Sequence, residues 1–240
     1  MPQKPKSAED AYLVAGCKPW NRRVYDKVLS QLPGRWLYVG SPEELSQVQL
    51  RDFAPRYIFF LHWSWKVPQE IVENFECVCF HMTDFPYGRG GSPLQNLIVR
   101  GHRETRLTAL RMSGDFDAGP AYLKLPLSLE GSAEEVYMRA TELSAKMIER
   151  ITREHPKPEP QHGEVVNFKR RKPEESEIGK SASLQELYDF IRMLDADGYP
   201  HAFLNYGGFR FEFTRAALYE GRIVADVTIT SAAESKGTEG

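Results

Sequence analysis

Residues 80–93 read Phe80-His81-Met82-Thr83-Asp84-Phe85-Pro86-Tyr87-Gly88-Arg89-Gly90-Gly91-Ser92-Pro93 and combine a strand end, a loop and a helix start. An apolar run ends at His81, a loop rich in proline and glycine follows, and Ser92-Pro93 is a typical helix start. In open α/β sheets, ligands bind at the carboxyl ends of the strands. Histidine changes charge near neutral pH, so His81 is a candidate for acid/base chemistry.

Apolar runs alternate with helical segments before this stretch. Runs that end near Cys17, Val39, Leu61 and His81 predict strands, and amphipathic segments lie between them. Arg56 to Leu61 and Cys77 to His81 are predicted as the third and fourth strands, and the continuous apolarity of Tyr57 to Phe60 is typical of a strand that is covered on both faces. The alternation predicts an α/β fold with a Rossmann-like, doubly wound, mostly parallel sheet and right-handed crossovers.

The later part of the chain predicts a second, smaller domain. A capping box at Ser132 opens a long helix, a proline-rich segment follows, and a helix and alternating strands come after it. We therefore expect a small C-terminal α+β domain. The predicted organisation is a flexible N-terminus (1–10), a main domain (11–155), a linker (156–163), a C-terminal domain (164–230) and a disordered tail (231–240).

Composition narrows the functional classes. The 240 residues carry a formal net charge of −2, which argues against a nucleic-acid binder held mainly by phosphate contacts. No apolar run approaches the ~20 residues of a membrane span, and no secretory signal is evident. Three cysteines without a zinc-ligand spacing predict a reducing compartment and no metal site. We expect a cytoplasmic monomer or homodimer with no membrane partner.

A second loop, residues 113–120, supplies a carboxylate at Asp117. Taken alone, His81 is better explained as a hydrogen-bonded residue at a strand end, and Asp117 as a turn former. Together, on loops that follow two strands, they predict an acid/base pair.

The chain resembles the folate-dependent formyltransferases over roughly residues 10 to 155. The resemblance is carried by His81, Pro86, Arg89 and Gly90 in order, and by the motif Asp117-Ala118-Gly119. It implies that a primary amine attacks the formyl carbon of N10-formyltetrahydrofolate. A cationic His81 would stabilise the oxyanion. Asp117 would hold that charge and relay the proton of the amine.

One position departs from the family pattern. The family has an asparagine two residues before the histidine, and this chain has Cys79. Asn96, early in the next predicted helix, is the proposed replacement as a third catalytic residue. Loss of the asparagine also leaves open a non-enzyme alternative, a catalytically lapsed module that binds folate or a nucleotide sugar.

The resemblance also implies binding residues. The pterin slot is expected between the Trp63-Ser64-Trp65 run and residues 113–117, which include Gly114 and Asp115. Arg89, with Gly90 and Gly91, is expected to meet the folate glutamate or a substrate phosphate. Lys18 and Asn21, in the first βα turn, are expected to face the substrate. The alternative for the tryptophans is ordinary packing, and for Arg89 a solvated surface position.

The C-terminal part predicts the acceptor. Residues 168–176 and the later Tyr199-Pro200…Ala202-Phe203 pattern resemble sugar N-formyltransferases. Residues 17–21, 63–65 and 87–93 resemble the pseudaminic acid branch of carbohydrate biosynthesis. The predicted acceptor is a nucleotide-linked 4-amino-4,6-dideoxy sugar, with no nucleic-acid partner. The alternative is methionyl-tRNA formyltransferase, which would call for a longer chain and a more basic C-terminal domain.

Overall fold

A computed structural model describes residues 10–114 and 116–231 of the chain. The predicted flexible N-terminus and disordered tail, apart from Asp10 and Ser231, lie outside the described residues, and so does Asp115. The strands are β1 (Ala11–Gly16), β2 (Arg35–Val39), β3 (Tyr57–Leu61), β4 (Cys77–His81), β5 (Tyr87–Gly90), β6 (Glu104–Arg111), β7 (Ala121–Ser128), β8 (Val166–Phe168), β9 (Ala202–Tyr206), β10 (Phe209–Tyr219) and β11 (Arg222–Ser231). The helices are α1 (Pro19–Lys27), α2 (Pro42–Gln47), α3 (Leu50–Phe53), α4 (Gln69–Asn74), α5 (Pro93–Val99), α6 (Ala133–Glu154) and α7 (Leu184–Arg192).

A six-stranded sheet has the order β2-β1-β3-β4-β6-β7. The first four strands pair in parallel, and β6 is antiparallel to β4. The predicted α/β fold with a mostly parallel sheet is confirmed. Because the chain leaves β1 in one direction to β2 and returns on its other side as β3, the carboxyl ends of β1 and β3 flank the topological switch point.

The central strands β1 and β3 are buried throughout because both faces of the sheet are covered there. On one face, Leu13, Ile58 and Phe60 pack with residues of the adjoining helices such as Leu45. On the other face, aromatic rings meet across the strands, as where the ring centroids of Tyr12 and Trp36 lie 4.6 Å apart. These contacts hold rigidly the strand ends from which the candidate site is built.

The described residues form two compact units. The first contains residues 10–89, 106–114, 116–125 and 140–165, and the second contains residues 90–105, 126–139 and 166–231. In the second, β11-β10-β9 form an antiparallel sheet, against which α7 packs. This is the antiparallel architecture expected of a small C-terminal domain. The second unit also includes residues 90–105 and 126–139, which were predicted to lie in the main domain.

The two outer strands of this small sheet differ in what lies beside them. The backbone N–H of Ile178 donates to the carbonyl of Phe203 in β9 at 2.6 Å. Strand β11 is the other edge, and Val224, Val227 and Ile229 on it are exposed. Among the described residues, no helix is long and apolar enough to cross a membrane.

Candidate active site

His81 lies at the carboxyl end of β4 with only 13% of its side chain exposed. Its Nε2 is 3.1 Å from the carbonyl oxygen of Gly88. A carbonyl can only accept, so Nε2 carries a hydrogen and donates it. The ring also packs on Phe85, with centroids 4.6 Å apart. The nitrogen left for chemistry is therefore Nδ1.

Asp117 approaches that nitrogen from the loop between β6 and β7. Its Oδ2 lies 3.9 Å from Nδ1 of His81, and its side chain is also 13% exposed. The backbone of Asp117 is left-handed, with φ of 54°, a conformation in which Asp is enriched among non-glycine residues. The structure thus brings the two candidate acid/base residues together within the first unit.

Burial dominates the electrostatics of this pair. It lowers the pKa of His81, while the Asp117 carboxylate and the Gly88 carbonyl act in the opposite direction. Burial, and then the charge of Asp117, raises the pKa of the Cys79 thiol to about 12. Cys79, where the family has asparagine, is therefore a neutral thiol at pH 7 and only a weak hydrogen-bond donor.

The proposed substitute for that asparagine is held elsewhere. The Asn96 amide donates to the carbonyls of Gly91, Ser92 and Lys169, and its Oδ1 accepts from Arg100 at 2.8 Å. All of these residues belong to the second unit. A catalytic role for Asn96 remains a prediction, and it would require these hydrogen bonds to break.

The loop glycines expected to bind cofactor are packed closely against Phe168 and Arg170. A Cβ at Gly90 would lie 2.4 Å from the carbonyl oxygen of Phe168, and one at Gly91 would lie 2.5 Å from Cβ of Arg170. Close packing is thus a sufficient physical reason for both glycines. Arg89, in the first unit, donates from Nε and Nη2 to Oε1 of Gln161 at 3.1 and 2.7 Å.

Two tryptophans follow β3 and form an aromatic pair. The rings of Trp63 and Trp65 meet edge to face at 5.0 Å, and Trp65 is 45% exposed. The indole N–H of Trp63 is buried, and no hydrogen-bond partner for it lies in the described part of the chain. Gly114 has open space beside it, because a Cβ there would meet only Nε2 of Gln69, at 3.6 Å. An exposed ring beside an unsatisfied donor suits a flat heterocycle.

Asn21 links the backbone of Lys18 to a second histidine, His62. Asn21 is fully buried, its Oδ1 accepts from the backbone N–H of Lys18 at 3.0 Å, and its Nδ2 lies 3.2 Å from Nδ1 of His62. Thr141 of α6 lies 3.3 Å from the same nitrogen. Asn21 thus orients the first βα turn from inside, and contacts of Lys18 and Asn21 with a substrate remain predictions.

His62 was missed by the sequence analysis. It follows β3 directly, as His81 ends β4, so the same signal of a histidine after an apolar strand could have found it. Its φ is 46°. Burial lowers its pKa to about 4 from an ordinary 6.5, with the charge of Lys18 acting in the same direction. His62 is therefore neutral at pH 7 and accepts hydrogen bonds at Nδ1. The described residues contain no group of three or more His, Cys, Asp or Glu that could hold a metal ion.

Comparison with known proteins gives consistent results. Residues 173–230 match the family described as the C-terminal domain of methionyl-tRNA formyltransferase. A structure of methionyl-tRNA formyltransferase from Clostridium thermocellum is 43% identical, with a TM-score of 0.87 over 93% of this chain and 100% of that one. The methionyl-tRNA formyltransferase of Sinorhizobium medicae is 31% identical over 166 residues, which are 65% of this chain and 53% of that protein. The chain spans about half the length of the curated relatives it matches.

These relatives overturn the predicted acceptor. A 4-N formyltransferase from Francisella tularensis shares the fold, with a TM-score of 0.66 over 90% of this chain and 96% of that one, but is only 15% identical. The prediction of a nucleotide-linked amino sugar, of carbohydrate or pseudaminic acid biosynthesis, and of no nucleic-acid partner is therefore wrong. The motifs that suggested it are local, whereas the similarity to methionyl-tRNA formyltransferase extends over 93% of this chain and favours the alternative. The chain belongs to the methionyl-tRNA formyltransferase family.

Proposed function

We propose that this chain transfers a formyl group from N10-formyltetrahydrofolate to the α-amino group of methionyl-tRNA. The observation that carries the proposal is the His81–Asp117 pair, with Nδ1 and Oδ2 3.9 Å apart and Nε2 committed to Gly88. Formyl transfer needs a group that takes a proton from an amine and gives one up again, and such a pair can do both.

In the reaction, the amine nitrogen attacks the formyl carbon and the bond from that carbon to N10 breaks. The proton lost by the amine ends on N10 of the departing tetrahydrofolate. Asp117 accepts this proton, directly or through a water molecule. Nδ1 of His81 then takes it up and bears a positive charge while negative charge sits on the formyl oxygen. Since burial lowers the pKa of His81, the imidazole starts neutral and releases the proton readily.

The tryptophan pair is the proposed pterin surface. Trp65 offers an exposed ring face, and the ring of Trp63 packs edge to face against it at 5.0 Å. A pterin is flat, so it would pack on the exposed ring of Trp65. Gly114 leaves room on the loop that carries Asp117.

A basic segment of the second unit is the proposed contact for tRNA phosphates. Lys169, Arg170 and Lys172 are exposed within four positions. Arg171 between them is engaged instead, with its guanidinium 5.7 Å over the ring of Phe190. With a net charge of −2 on the whole chain, attraction to tRNA must come from such a local cluster.

The test is formylation of methionyl-tRNA by the purified chain with N10-formyltetrahydrofolate, followed by detection of formylmethionine. We expect turnover by the natural chain, and a fall in kcat of about 10²–10³-fold for His81→Ala. His162→Ala, which changes an exposed histidine of the same unit, should retain full activity. Absence of turnover by the natural chain, or full activity without His81, would contradict the proposal.

A further inference from the structure

Gln161 lies in the proline-rich segment that the sequence predicts to be a linker, yet it contacts the candidate active site. Its Nε2 donates to the backbone carbonyl of Asp117 at 2.8 Å and to that of Gly119 at 2.7 Å. The two hydrogens of one amide nitrogen thus hold both ends of the Asp117-Ala118-Gly119 turn. The side chain is partly buried.

The other end of the same amide reaches the loop after His81. Oε1 of Gln161 accepts from Nε and Nη2 of Arg89 at 3.1 and 2.7 Å. Arg89 directly follows Gly88, whose carbonyl accepts from His81. The two ends of the amide cannot be exchanged, because guanidinium groups only donate and carbonyls only accept.

These contacts close a ring through both catalytic loops. It passes from His81 to Gly88 and Arg89, through Gln161 to the turn of Asp117, and back across the 3.9 Å gap to His81. The turn is also blocked on another side, since a Cβ at Gly119 would lie 1.8 Å from the carbonyl oxygen of Arg111. The Gln161 side chain ties this turn to the loop that orients His81.

We propose that Gln161 is a positioning residue, which sets the separation between Asp117 and His81 by clamping the Asp117 turn to the Arg89 loop. It does not touch the reacting atoms. Its catalytic consequence rests on the proposed function, but the clamp itself can be measured without any substrate. The neutral Cys79 thiol and the Phe85 ring also lie near the pair.

The decisive measurement is a double-mutant cycle in which the pKa of His81 is measured by NMR of its imidazole in the full chain. His81→Ala identifies the signal among the six histidines. In the natural chain, Asp117→Asn should lower the pKa of His81 by about 1, because an opposite charge at this distance is removed. In a Gln161→Ala background, Asp117→Asn should lower it by less than half as much, because Asp117 is no longer held near.

Two further variants make the experiment specific. Gln161→Glu keeps the acceptor for Arg89 but presents oxygens to the carbonyls of Asp117 and Gly119, so it should also lose the coupling. Glu164→Ala, an exposed change nearby, should retain it. An undiminished effect of Asp117→Asn in both Gln161 variants, with the fold intact by circular dichroism, would overturn the clamp.

Kinetics then separate the clamp from the proposed function. With methionyl-tRNA, the Gln161 variants should lose about 10²-fold in kcat with little change in KM for either substrate, since a displacement of about 1 Å has such an effect. Normal kcat in the variants would contradict the catalytic consequence. If the natural chain does not formylate methionyl-tRNA, the proposed function fails, while the NMR coupling still decides whether the clamp exists.

Discussion

The imidazole of His81 has two ring nitrogens, and the structure gives them different neighbours. Nε2 donates to the Gly88 carbonyl, and Nδ1 faces Asp117. Burial at the end of β4 keeps the ring neutral near pH 7, in spite of the carboxylate beside it. The ring can therefore gain a proton at Nδ1 during the reaction, which a permanently charged imidazolium could not.

This predicts the pH dependence of turnover. The pair must be able to accept a proton, so activity is lost as the pH falls through the pKa of His81. Because that pKa is lowered, the acid limb of kcat should have its midpoint below 6.5, the ordinary imidazole value. Measuring kcat with both substrates saturating restricts the profile to groups in the bound complex. An acid limb centred above 6.5 would contradict this assignment.

His62 makes a different prediction, about stability. The folded chain holds it neutral down to about pH 4, whereas the unfolded chain protonates it near 6.5. Between these values the unfolded state binds more protons, so the free energy of unfolding decreases as pH falls, by about 3 kcal/mol in total from this group. His62→Asn should remove that decrease. Asparagine tolerates the left-handed backbone, and its Oδ1 can accept from Asn21 in place of Nδ1.

Chemical denaturation at pH 7 and at pH 4.5 measures the effect. The natural chain should lose more stability between these pH values than His62→Asn does. At pH 7 the variant should be less stable by about 1 kcal/mol, because the edge contact of Trp20 with the ring, at 6.2 Å, is lost. Equal losses in both proteins would show that His62 is not the titrating group.

Among the structural elements, the loop between β6 and β7 owes its close packing to Gly119, which has no side chain. Gly119 lies directly against the carbonyl of Arg111, and the backbone N–H of Arg111 donates to the Pro120 carbonyl at 2.9 Å. The turn is therefore seated on the end of β6 with no space between them. This contact with the end of β6 also determines where Asp117 lies.

Gly119→Ala should displace this turn. A Cβ only 1.8 Å from the Arg111 oxygen forces the backbone to move, so we expect a loss of about 1–3 kcal/mol of stability and a marked fall in kcat. Gly179→Ala is the matched control, because no described residue lies within 4 Å of the new methyl group. Thermal unfolding and formylation assays report the two effects. If both alanine variants behave like the natural chain, Gly119 does not lie as close to the Arg111 carbonyl as described.

Much of the element structure could be predicted from the sequence, for local reasons. Strands covered on both faces are written as continuous apolar runs, so β3 and β4 were predicted within a residue of their observed bounds. The antiparallel β6 could not be predicted, because strand direction depends on the path of the chain and not on its pattern. Gln161 could not be found either, since its partners are 42 to 72 positions away and its surroundings resemble a linker.

At the scale of the whole molecule, the two units are assembled from separated stretches of chain. Segments 90–105 and 126–139 belong with the C-terminal residues, although the predicted boundary lay at 156–163. A proline-rich segment marks a break in regular structure, and that is not the same as a boundary between cores. The acceptor substrate likewise could not be predicted from the sequence motifs, because its recognition depends on surfaces that are not confined to one motif.

The proposed binding of tRNA depends on the basic segment at residues 169–172. Replacing Lys169, Arg170 and Lys172 by glutamine should weaken binding and reduce the slope of log K against log salt by about 2–3, roughly 0.7–0.9 for each lost phosphate contact. The control replaces Lys27, Lys146 and Lys157 by glutamine. These lysines are exposed in the first unit, so the control removes the same number of positive charges. Filter binding over a range of salt concentrations distinguishes them. Equal slopes for the two triple variants would refute a local contact.

The outer strand β11 has a consequence for how the protein behaves at high concentration. From Val227 to Ser231 it carries no charged residue, and Val227 and Ile229 are exposed on it. Such an edge is a ready template for intermolecular β-sheet, and natural proteins usually guard it with lysine or proline. We expect heated or concentrated samples to form β-rich aggregates that begin at this strand. Ile229→Lys should delay the rise in light scattering without loss of formylation, and an unchanged onset would direct attention to another surface.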